Sequence, residues 1–197
     1  MLLLCLTVFA SPVEVILGEG GGPAVLALHG VGDEPTSFAR VFEGMPGPAR
    51  LLLPAGSFPW RAGYSWLSQT HTLAQAADRI AAGLTEKVAV TGFSQGGMLA
   101  FALAVRHPDR ILAAFPISGT LPVSMLPEGA VHNAPPIIAL HGEEDAAVPI
   151  GPTRMIVRRL RRCGFDAELH AYPGVGHEIP PLMRAELSAL LTGLSAP

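Results

Sequence analysis

The stretch Val88-Ala89-Val90-Thr91-Gly92-Phe93-Ser94-Gln95-Gly96-Gly97-Met98-Leu99-Ala100-Phe101-Ala102-Leu103-Ala104-Val105 decides the fold. Its first four residues form an apolar, β-branched run of strand length, while Gln95 to His107 carries helical spacing. Between the two lies Gly92-Phe93-Ser94-Gln95-Gly96, a G-x-S-x-G match. In that pattern a tight strand-to-helix turn holds the central serine in a strained conformation, and the flanking glycines clear the space its neighbours need. With 22 Gly in 197 residues, about 0.1 such matches arise by chance. The alternative is an ordinary capping serine on a Gly-rich helix start, and the strand before and helix after favour the strained turn.

Working outward, short apolar runs bounded by Gly and Pro recur at Val13–Leu17, Ala24–Leu28, Arg50–Leu53, Ala113–Ile117, Ile137–Leu140 and Ala167–Tyr172. Several are apolar almost throughout, as strands covered on both faces read. Helical spacing marks Thr72–Leu84, Pro152–Cys163 and Pro181–Leu191. Strands alternating with helices predict an α/β fold, a mostly parallel central sheet of about seven strands with helices on both faces. Met45-Pro46-Gly47-Pro48 and Asn133-Ala134-Pro135-Pro136 read as loops. Fewer than twenty residues separate Ser118 from Pro135, too few for a lid domain, so an open pocket is expected.

The whole chain, 1–197, reads as one domain. Apolar residues make up 49% and charged residues 15%, enough for a buried core and against disorder. The net charge of −3 gives no electrostatic footprint for nucleic acid. Cys5 and Cys163 share no ligand spacing, so neither a disulfide framework nor a metal is expected.

In a parallel sheet, reactive groups gather at the carboxyl ends of strands. A serine hydroxyl needs a neighbouring base and an orienting acid to become a nucleophile, and on this kind of sheet they follow in the order Ser, acid, His. His141-Gly142-Glu143-Glu144-Asp145 closes one strand and Gly174-Val175-Gly176-His177 follows another. Asp145, deeper in its loop and shorter, is the expected acid, with Glu144 as competitor. Only His170 and His177 follow it in the chain; His170 lies within a strand pattern, which leaves His177 as the base. The backbone N–H of Gln95, at the helix start, is expected to face a developing oxyanion. A second donor is expected at Val31, in Leu28-His29-Gly30-Val31-Gly32-Asp33; His29 reads as a loop residue that positions this backbone.

Leu28 to Asp33, Gly92 to Gly97, His141-Gly142 with Asp145 and Val148-Pro149, and Gly174 to His177 resemble, in order, the signature blocks of the phospholipase/carboxylesterase family of α/β hydrolases, which includes acyl-protein thioesterases. The resemblance implies the triad Ser94, Asp145 and His177, oxyanion donors at Val31 and Gln95, and Trp66 at the border of the substrate pocket. The short interval from Trp66 to Thr72 departs from the family and implies a reduced acyl groove. Phe58, Trp60, Tyr64 and Trp66 cluster in a chain with 6% aromatics, either lining an apolar pocket or anchoring a loop. Trp66, Tyr64 and Phe93 are the expected substrate-binding set.

These residues predict a serine carboxylesterase that needs no cofactor and acts on small-molecule esters of short to medium acyl chain. An acyl thioesterase or lysophospholipase uses the same triad, and a non-catalytic binding protein on this fold is the alternative of another class. The five arginines from Arg154 to Arg162 read as a solvated helix face or as a membrane-surface contact. Met1–Ala10 is too short to span a bilayer and lacks a positive n-region, so stable membrane insertion is not expected. An edge strand, a disordered tail and a weak signal peptide are all compatible with residues 1–12, and a cytoplasmic location is the expectation. The oligomeric state, monomer or dimer, is left open.

Overall fold

A computed structural model describes residues 13–16, 22–45 and 50–194. The readings made for residues 1–12, and most of the loop Met45–Pro48, lie outside them. The strands are β1 (Val13–Ile16), β2 (Val25–Leu28), β3 (Arg50–Leu53), β4 (Phe58–Trp60), β5 (Gly63–Ser65), β6 (Val88–Phe93), β7 (Ile111–Ile117), β8 (Ile137–Gly142) and β9 (Ala167–Tyr172). The helices are α1 (Pro35–Ala39), α2 (Leu73–Gly83), α3 (Gln95–Arg106), α4 (Ile150–Arg162) and α5 (Pro181–Thr192).

Seven strands form one sheet in the order β1-β3-β2-β6-β7-β8-β9, and β4 pairs with β5 in a separate hairpin. Only β1, antiparallel to β3, departs from parallel pairing within the large sheet. The pleat divides each strand between two cores. Leu26, Leu28, Val88 and Val90 meet α2, α3 and α4 on one face. Val25, Ala27, Ala89, Ala113 and Phe115 meet α1 and α5 on the other. Helix α3 is buried nearly all round, which is why its sequence shows so little amphipathic contrast.

Local chemistry sets the helix boundaries. Thr72 and Gln75 cap α2 reciprocally, Gln75 N–H donating to Thr72 Oγ1 and Thr72 N–H to Gln75 Oε1. On the outer face of α4, Arg154 pairs with Glu143 and Arg161 donates to the Ala167 carbonyl, so these two arginines are engaged within the protein. Between Ser118 and Pro136 the chain forms turns and one three-residue 3-10 helix, Val123–Met125. No helix among the described residues is long and apolar enough to cross a membrane.

Two features depart from the sequence-based expectation. Helix α1, five residues long, forms because Pro35 stands at its start and Phe38 and the following Phe42 bury into the core. The aromatic stretch forms the β4–β5 hairpin, pinned by hydrogen bonds from Gly32 N–H to the Tyr64 carbonyl (2.8 Å) and from Tyr64 N–H to the Asp33 carbonyl (2.9 Å).

Candidate active site

Strand β6 turns into α3 at Ser94, whose φ of 56° and ψ of −115° lie outside the regions open to L-residues at low energy. Such strain costs about 1–3 kcal/mol and persists where packing enforces it. Here the enforcing contacts are backbone on backbone. A Cβ on Gly96 would lie 1.9 Å from the Leu28 carbonyl oxygen, and one on Gly92 would lie 2.5 Å from the Gly96 carbonyl oxygen. The loop after β2 runs directly over this turn: a Cβ on Gly30 would stand 3.6 Å from Ser94 Cβ. Neither Val31 N–H nor Gln95 N–H donates a hydrogen bond among the described residues. Both N–H groups are therefore unpaired, one in the loop that runs over the turn and the other at the positive end of a twelve-residue helix.

The loops after β8 and β9 meet at Gly142, where a Cβ would fall 2.3 Å from the Val175 carbonyl oxygen and 2.5 Å from that of Gly176. Glu144 N–H donates to the Val175 carbonyl at 2.9 Å. This contact turns Asp145 inward, 4% exposed, while Glu143 and Glu144 remain exposed. Asp145 Oδ2 accepts from His177 Nδ1 at 2.8 Å, and Oδ1 accepts from the N–H groups of Ala147 (3.0 Å) and Val148 (2.8 Å). His141 secures the same loop: its Nε2 donates to the Val148 carbonyl at 2.7 Å, which leaves Nδ1 as an acceptor, buried and without a partner.

The His177 ring lies against Phe93, with centroids 4.7 Å apart, which sets the imidazole beside the residue preceding Ser94. No direct Ser94–His177 hydrogen bond is present, a common state of such sites without substrate. His170 is engaged by Glu168 and Glu186.

A buried network braces the donor loop. His29 Nδ1 donates to the Gly30 carbonyl (2.7 Å) and Nε2 accepts from Gly56 N–H (3.0 Å), which defines a neutral ring. Trp66 Nε1 donates to the His29 carbonyl at 2.9 Å, and the Gln95 side-chain oxygen accepts from Trp66 N–H at 2.8 Å and from Ser65 Oγ at 3.2 Å. Trp66 is therefore turned inward, 3% exposed. Val31, Trp60 and Tyr64, beside the same loop, are exposed. The bracing roles of Ser65 and of the Gln95 side chain carried no sequence signal, because both partners reach across about thirty residues of chain. His141 stood next to the acid loop in the sequence, yet its bond to Val148 depends on how that loop folds back.

Burial lowers the pKa of His29 and of His141 below the ordinary 6.5. For Asp145, burial acts upward, but the bonds from His177 and the Val148 amide outweigh it and its pKa is lowered. The unfolded chain thus binds protons at both histidines below pH 6.5 that the folded chain does not. Their contribution to stability is complete above that pH and is lost as pH falls toward the folded values. His170 acts in the opposite sense: burial lowers its pKa, but Glu168 and Glu186 raise it overall, so its contribution is complete below 6.5 and lost as pH rises. We expect the melting temperature, followed by circular dichroism, to fall as pH drops from about 7 to 5, and more steeply in a His170→Gln variant.

Gly142 gives a sharper test. In Gly142→Ala the new methyl must separate the two loops, and a displacement of about 1 Å at such a site costs on the order of 10²-fold in turnover. Turnover by this variant, read beside its melting temperature, checks whether activity falls while the fold persists.

The sheet order, the strained strand-to-helix turn and helices on both faces define an α/β hydrolase. The carboxylesterase from Mesorhizobium loti superposes with a TM-score of 0.77 over 95% of this chain and 97% of its own, at 22% identity; esterase PE8 does so with a TM-score of 0.76 over 92% and 97%, also at 22%. The phospholipase/carboxylesterase family model matches residues 70–193, and the chain belongs to that family. Carboxylesterase SOBER1 of Arabidopsis thaliana is 33% identical over 48% of this chain and 42% of its own length. Acyl-protein thioesterase 1 of Gibberella zeae is 28% identical over 54% and 47%. These matches span under half the length of the curated relatives. Ser94, Gln95, Asp145 and His177 lie inside the family match, and Val31, Tyr64 and Trp66 lie before it.

Proposed function

We propose that the chain is a serine hydrolase of carboxylic esters that works through a covalent acyl-enzyme. The observation that carries this reading is the Asp145–His177 hydrogen bond held against the strained Ser94 turn. With Nδ1–H committed to Asp145, His177 has Nε2 free to accept the Ser94 proton as Oγ attacks the ester carbonyl. The tetrahedral oxyanion takes hydrogen bonds from Val31 N–H and Gln95 N–H, each worth about 10²–10³ in turnover. His177 then protonates the leaving alcohol, and water, deprotonated by the same imidazole, releases the acid and restores Ser94. Beyond substrate and water, every group this cycle uses belongs to the chain, and the chemistry calls for no cofactor or metal.

Val31, Trp60 and Tyr64 form an exposed apolar rim beside the oxyanion donors, with Phe93 below on the His177 side. That rim supports acyl or alcohol groups of short to medium length. Thioesters are the second substrate class, supported by the thioesterase name of one relative. A series of chromogenic esters from acetyl to palmitoyl, run beside acyl thioesters, separates the two. We expect kcat/KM to peak at or below medium chains on esters; a preference for thioesters of about tenfold or more, roughly 1.4 kcal/mol of transition-state binding, would reassign the substrate class.

A further inference from the structure

Behind the oxyanion loop, between the sheet and α2, lies a cavity of about 240 Å³. Its walls include Leu26, Leu52, Trp66, Ala76, Ile80 and Leu84, and none of Ser94, Asp145 or His177 borders it. Leu26, Trp66 and Ala76 are buried, whereas Leu52, Ile80 and Leu84 are partly exposed and Gly83 and Ser57 face solvent. The space is therefore a concavity with a buried apolar floor and an open mouth. Cavities of this lining hold apolar ligands better than water.

The mouth carries one cation. Arg79 donates to Ser57 Oγ at 3.0 Å and meets His71 Nε2. One partner is a hydroxyl and the other an imidazole, and no carboxylate pairs with Arg79 among the described residues. A guanidinium not paired to a carboxylate keeps its charge uncompensated and its remaining N–H donors available, and a carboxylate matches that fork bidentately.

We propose that this cavity is a second ligand site, taking an aliphatic monocarboxylate with its chain against Leu26, Leu52, Ile80 and Leu84 and its carboxylate on Arg79. The volume, under the roughly 300–1,000 Å³ of drug-sized pockets, restricts the chain to short or medium length. The Trp66 indole forms one wall and, through Nε1, braces the His29 carbonyl, so the ligand touches the support of the donor loop without entering the crevice.

Calorimetric titration of the whole chain with octanoate tests this, alongside 1-octanol as a ligand with the same chain and no charge. We expect saturable one-to-one binding of octanoate. Arg79→Gln should weaken octanoate about tenfold and leave 1-octanol unchanged. Gly83 lines the cavity where a Cβ would meet nothing within 4 Å, so Gly83→Trp should close the mouth to both ligands in a folded protein, verified by its melting temperature. Protein blocked at its reactive serine by a fluorophosphonate should bind octanoate as before. No saturable binding, equal loss of both ligands in Arg79→Gln, undiminished binding in Gly83→Trp, or loss of octanoate after serine modification would each overturn the proposal. The last places the acid at Ser94, and the binding arms stand whether or not the chain hydrolyses esters.

Discussion

Ser94→Ala is expected to lower turnover on a chromogenic ester by about three orders of magnitude or more while the protein melts as before. The substitution removes only Oγ. Ser94 makes no side-chain capping bond to α3, so the helix loses nothing, and Ala adopts the same positive φ at a cost close to that of Ser. Its backbone bonds, from Ser94 N–H to the Ile117 carbonyl (2.9 Å) and from Met98 N–H to the Ser94 carbonyl (2.9 Å), are untouched. What disappears is the atom proposed to form the acyl bond, and labelling by a fluorophosphonate probe should disappear with it. Residual hydrolysis over water, from the two backbone donors alone, is expected. An Ala variant within tenfold of the parent, or still labelled, would remove Ser94 from its role.

Asp145→Asn should cost about 10³–10⁴-fold in turnover, again with the fold retained. The reason lies in how the carboxylate is shared. Ala147 and Val148 N–H groups both donate to Oδ1, so an Asn here keeps its carbonyl oxygen on those amides and turns its NH₂ toward His177. An NH₂ cannot accept from Nδ1–H. The imidazole is driven to carry its proton on Nε2, where it can no longer receive one from Ser94. Proton NMR of the imidazole N–H in parent and variant reads the tautomer directly, and kinetics on the same samples read the consequence. Full activity in the Asn variant, or its loss in Glu144→Gln instead, would move the acid to Glu144.

Much of this molecule is legible locally. The seven strands of the large sheet and helices α2 to α5 each announce themselves through a continuous apolar run or helical spacing closed by Gly or Pro, signals that need no knowledge of the rest of the chain. The β4–β5 hairpin does not, because three-residue strands have almost no preference of their own and Tyr64 is held by Gly32 and Asp33. Helix α1 is too short to signal and depends on Phe38 and Phe42 reaching the core.

By itself, then, the order of residues determined the α/β architecture and singled out the short set of side chains proposed for acyl transfer, since both follow from patterns a few residues long. Only the tertiary structure decided which of three consecutive acids faces His177, 32 residues away, that Trp66 props the donor loop instead of standing in the crevice, and that an apolar hollow with a lone arginine opens behind it. Those outcomes depend on backbone meeting backbone at Gly142 and Gly96 and on the gap left between α2 and the sheet, distances that no local pattern encodes.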